Sequence, residues 1–125
     1  MGFLQNQRFM LSFEAGANLT TKQFHFVKQN TSDGKIVACD TAGELALGIL
    51  QNKPNNGETA QVVLLGGGSR VVAGAAINSH GAELATDDDG RAVDAVATNY
   101  VNAISDATAS GDGSIIDSSI VKYKI

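Results

Sequence analysis

Apolar and polar residues alternate with a period of two from one end of this chain to the other, and that period belongs to strands rather than helices. Phe9, Leu11 and Phe13 alternate with Arg8, Met10, Ser12 and Glu14. Phe24 and Phe26 alternate with Gln23 and His25 in a second run, which stops at Thr31-Ser32-Asp33-Gly34, a turn sequence whose glycine tolerates positive φ. Residues 35–39 read as the returning strand. Residues 46–51 and 60–65 flank Lys53-Pro54-Asn55-Asn56-Gly57, a reversal signal that marks the clearest hairpin.

Val62-Val63-Leu64-Leu65 is apolar at every position, the pattern of a strand covered on both faces, and is expected at the centre of the core. It runs through Gly66-Gly67-Gly68 into a strand at residues 69–72. Small residues and glycine fill 73–84, expected to form a tight corner or a short helical turn. Residues 91–97, 99–105 and 114–123 follow as strands, the last two joined by the loop 106–113. A helix over 94–109 is the competing reading, disfavoured by β-branched and aromatic residues and by the flanking turns. The expectation is an all-β fold: one small domain over residues 1–125, a β-barrel or β-tulip-like fold of about nine or ten short strands with at most a short helix. The 14 glycines against one proline, with 43% apolar and 18% charged residues, suit such a turn-rich domain.

Charge narrows the function. A net charge of −4 with nine scattered Lys and Arg lacks the clustered basic footprint that contact with nucleic-acid phosphates requires, so no direct nucleic-acid partner is expected. Lys122 and Lys124 alternate with Val121 and Tyr123 as one solvated strand face. No apolar run approaches the roughly 18 residues that span a bilayer, and residues 1–12 lack a signal-peptide layout. The expected setting is a cytoplasm with no membrane partner.

The sites that sequence offers each have a plainer explanation. Asp87-Asp88-Asp89-Gly90 invites a calcium reading, but placing Gly90 at the glycine position of an EF-hand loop puts Ala85 and Val96 where carboxylates must stand; a turn between two strands is the better reading. Gly66-Gly67-Gly68-Ser69-Arg70 lacks the lysine of a phosphate loop and the spacing of a nucleophile elbow. His25 and His80 have no metal-ligand spacing, and Cys39, the single cysteine, has no neighbouring cation to make it reactive. Glu14, Asp40, Glu44, Glu58 and Glu83 are the acids whose meeting in space would allow acid–base work. No catalytic residue, cofactor or metal is expected. The candidate partner interface is Phe3 and Leu4, which precede the first patterned strand, with residues 1–7 expected as an arm that orders on contact; Phe9, Leu11 and Phe13 are assigned to the core.

Four stretches in order, ALGILQN at 46–52, GETAQVVL at 57–64, VVAGAAI at 71–77 and TDDDGRAV at 86–93, resemble the running pattern of the tailed-bacteriophage capsid cement or decoration proteins. The resemblance covers about residues 46–121, and the N-terminal third departs from it. It implies a non-enzymatic structural protein on the exterior of the virion, made in the host cytoplasm, that binds the major capsid protein and adds contacts between capsomers. It carries no active site. An edge-bearing small β fold on a shell is expected to be a homo-oligomer, with a trimer as the first guess. The corner at 73–84 also resembles β-clip modules, which keeps a ligand- or partner-binding module as the alternative, ahead of an enzyme.

Overall fold

A computed structural model describes residues 9–125, and ten strands account for its regular structure. The strands are β1 (Met10–Glu14), β2 (Phe26–Gln29), β3 (Ile36–Ala38), β4 (Gly48–Leu50), β5 (Thr59–Val63), β6 (Gly68–Val72), β7 (Glu83–Thr86), β8 (Ala92–Asp94), β9 (Tyr100–Ser105) and β10 (Ile115–Lys124). They form two antiparallel sheets of five, ordered β1-β5-β4-β2-β3 and β6-β10-β9-β7-β8. Among the described residues there is no helix, so residues 73–82 are irregular backbone with isolated bridges, 83–84 open β7, and the helical reading of 94–109 is replaced by the end of β8, a turn and β9.

The all-β class and the strand number are as expected, but neither sheet closes into a barrel. The first sheet curls until Ala15, just past β1, meets Ile36 of β3 in a single parallel bridge. That rung alone joins the two edges among the described residues, leaving the rest of β1 splayed from β3. The second sheet is built by the long return of β10, which pairs with its neighbour in the chain, β9, on one side and with the distant β6 on the other.

Two apolar clusters follow from this geometry. Val27, Ile36, Leu50, Ala60 and Val62 fill the concave side of the first sheet. Phe26 and Ile49, one residue away on the same strands and therefore on the opposite face, pack against Val71, Leu84, Ala103 and Ile116 of the second sheet. β2 begins, and β4 is wholly, buried on both faces. The doubly covered strand is thus β4, not the 62–65 run: Val62 is buried, but Leu65 is exposed, because the chain leaves the sheet there to cross over.

That crossover uses the glycine corner as expected. Gly66 has φ 93°, its N–H donates to Ile120 O at 3.1 Å, and the Gly67 N–H donates to Leu64 O at 3.0 Å. A Cβ on Gly67 would lie 2.5 Å from Val63 Cγ1. With those amides bonded inside the protein, the corner is a turn and not an anion cradle.

A second joint lies at Phe24 and His25. Phe24 adopts φ 65°, which interrupts the alternating run and delays β2 to Phe26. The Val72 N–H donates to Phe24 O at 2.9 Å and the Phe26 N–H to Gly90 O at 2.6 Å, tying the first sheet to β6 and to the β7–β8 turn.

Candidate docking surface

The Asp-rich turn is a bracket within the fold. β7 and β8 pair with Thr86 opposite Ala92, and Gly90 at φ 80° closes the turn. Asp87 Oδ1 accepts from the backbone N–H groups of Asp89 and Arg91, both at 2.9 Å. Its Oδ2 lies 3.3 Å from Arg91 Nε, close enough for charge attraction though not aligned as a hydrogen bond. Asp89 binds Lys22 Nζ at 2.6 Å, and Arg91 reaches Asp112 at 2.6 Å. Carboxylates already shared among backbone amides, Lys22 and Arg91 are poorly disposed to gather round a cation.

The other acids are similarly occupied. Lys28 Nζ draws Asp40 (2.7 Å) and Glu44 (3.0 Å) together, and Glu44 Oε2 accepts from the Asp40 and Thr41 amides. The Lys28 ammonium holds the exposed Asp40 carboxyl below its ordinary range. Glu14 pairs with Lys35, Glu58 caps the turn at Asn55, and Glu83 accepts from Tyr123. The Lys28 cluster borders an open cleft of about 590 Å³, lined also by Asn30, Val37, Leu45 and Lys122.

His25 is nearly buried at the joint, its Nδ1 3.1 Å from Gln23 O, and burial lowers its pKa. His80 lies on the surface near Asp106 O. Cys39 is buried, which with the nearby Glu44 charge pushes its thiol up to about 12. Within the corner at 73–84, Ile77 exchanges two backbone hydrogen bonds with Ala109, 3.0 and 2.9 Å. That corner is therefore fastened at Ile77 to the chain's own 106–113 connection.

What remains is surface. Phe3, Leu4 and the rest of residues 1–7 lie outside the described residues. Of the three aromatic and aliphatic residues assigned to the core, only Phe13 packs against it; Phe9 and Leu11 are 49% and 55% exposed. Leu11 stands opposite Val62 on the concave face, but the sheet splays at that end and leaves its side chain uncovered. Leu65 is 54% exposed, and Phe9 packs against the neighbouring Gly66 and Gly67. Phe9 and Leu11 thus expose apolar side chains along the edge strand β1, with Leu65 exposed in the crossover after β5.

The β1 backbone completes the surface. Phe9 O accepts from Leu64 N–H and Ala15 N–H donates to Glu58 O, so the odd-numbered residues bond β5 and the even-numbered ones face outward. Gly16, next in the outward series, donates to Ile36 O at 2.8 Å. The parallel bridge of Ala15 to Ile36 also engages Glu14 O, which leaves Met10 and Ser12 without a backbone partner on that side among the described residues.

With the geometry in view, comparison with solved structures is informative. The chain is similar to the head fiber gp8.5 N base of bacteriophage phi29, with a TM-score of 0.66 and 24% identity, covering 93% of this chain and 98% of that one. The fold is shared. No protein-family model matches the chain, and no curated protein matches it. The resemblance to capsid cement proteins read from the sequence thus meets a structural likeness to another kind of phage head protein. No sequence signal pointed to a fiber base.

Proposed function

We propose that this chain is a non-enzymatic structural protein of a phage head, seated on the outer surface of the shell against the major capsid protein. The observation that carries this reading is the likeness to the phi29 head fiber base over nearly the whole of both chains. The chemistry of the side chains agrees with it: His25 and Cys39 serve the joint and the core, and the cleft-lining Asp40 and Glu44 are engaged by Lys28 and by backbone amides.

In this role the protein acts by binding the assembled shell in preference to its free subunits, which stabilises the shell by mass action without any reaction. Contacts bridging neighbouring capsomers, as the cement resemblance implies, make that preference large. Several copies associate on the head, a trimer being the first geometry to test, because multivalent attachment raises residence time without stronger individual contacts.

Co-sedimentation tests the reading. The protein is incubated with purified heads of its phage and with unassembled capsid protein, and the pelleted fraction is measured. Saturable binding to heads, with little to free subunits, is expected. Binding to neither would remove the proposal.

A further inference from the structure

We propose that the open edge of β1 receives residues 2–7 of a second copy as an added strand. This rests on the proposed self-association and gives it an address. Each of the other edges is met by one backbone bond, β3 at Ile36 by Gly16, β6 at its last residue Val72 by Phe24, and β8 at Ala92 by Gly74, whose N–H donates to Ala92 O at 2.8 Å. β1 presents two successive outward residues, Met10 and Ser12, with N–H and C=O groups unpaired among the described residues, whereas β6, which also turns Gly68 and Arg70 outward, carries the exposed charged Arg70 side chain at its edge. Phe9 and Leu11 expose apolar side chains beside Met10 and Ser12.

The segment that leads into Phe9 fits this edge. Residues 2–7 read GFLQNQ, with no charge and no proline, so every N–H can join a ladder and no ion is desolvated; Phe3 and Leu4 supply apolar cover. Six residues of strand extend roughly 20 Å, enough for the length of β1.

A second copy, and not the same chain folding back, is the source of the strand. Phe9 is already bonded to Leu64, so the chain enters β1 in line with its ladder. Reversal would have to occur within Gln5-Asn6-Gln7-Arg8, which contains no glycine for the positive φ of a tight hairpin, and would leave only residues 1–4 to pair. Each copy then gives one strand and accepts one, a condition that a closed set of copies satisfies in full.

The test uses the full chain, Ser12→Pro, and a deletion of residues 2–7, compared by sedimentation velocity over a concentration series. Proline at Ser12 removes an outward N–H and places its ring on the free edge, where the fold tolerates it. A closed oligomer for the full chain, monomers for both variants, and unchanged monomer melting temperatures are expected. A monomeric full chain, or an oligomer indifferent to Ser12→Pro, overturns the proposal. So does a deletion that lowers the monomer's melting temperature, since the segment then covers its own β1. Head binding by the same samples is scored separately, so loss of the edge interaction and loss of the head-protein reading are told apart.

Discussion

Asn102, buried in β9, accepts through its Oδ1 a hydrogen bond of 3.1 Å from the backbone N–H of Ala46. Its Nδ2 donates to Glu44 O, also at 3.1 Å, so one amide fastens the 44–46 strap of the first sheet to the centre of the second. Substitution by leucine keeps the volume but strands a backbone N–H and a C=O, at about 1–3 kcal/mol for each group left unsatisfied in the interior. Asn102→Leu is expected to lose about 2–4 kcal/mol in urea unfolding; an unchanged midpoint would mean that the strap is held elsewhere.

Much of this architecture is legible in the sequence because strand pairs close in the chain announce their turns. Gly34 at φ 74° and Gly57 at φ 86° stand where the turn residues placed them. Sheet membership is not legible, since the pairing of β10 with β6 joins strands more than forty residues apart, Val72 opposite Ile115. Nor is the fate of Leu11, whose alternation correctly gives its face but not whether a neighbouring strand covers that face. Phe24 misled the pattern because a bulky residue at positive φ is rare, and only the joint between the sheets, where its carbonyl meets Val72, holds it there.

His25 sets a pH dependence. Burial, the largest influence, lowers its pKa from 6.5, with Lys22 and Arg91 adding to the shift and Gln23 O and Asp89 opposing it. The unfolded chain therefore binds the proton more readily, so the stability from neutral His25 is present above the unfolded value and is lost as pH falls below it toward the folded one. Urea midpoints are expected to fall on acidification through pH 6.5, and His25→Gln to flatten that slope. An identical slope in the variant would assign the dependence to other groups.

Gly48 marks the closest approach of β4 to β5. A Cβ there would stand 2.0 Å from Val63 O and 2.9 Å from Val62 Cγ1. Gly48→Ala is expected to cost about 3 kcal/mol by forcing the strands apart. Gly57→Ala, with open space around it but φ 86°, should cost only about 1–2 kcal/mol through strain. Equal losses in thermal unfolding would contradict this account of the pairing.

Cys39 offers a reporter of global opening. Its thiol, buried and pushed up to about 12, is expected to resist aromatic disulfide reagents at neutral pH and to react only at the rate of unfolding. Rapid labelling of the native protein would show that the inter-sheet core opens on its own.

The central claim is most directly tested by cryo-electron microscopy of heads produced with and without this chain. The account predicts density of the two-sheet shape on the outside of the shell, in contact with the major capsid protein and arranged in clustered copies, that disappears when the chain is deleted. Identical maps from the two preparations, or density confined to the interior, would contradict it.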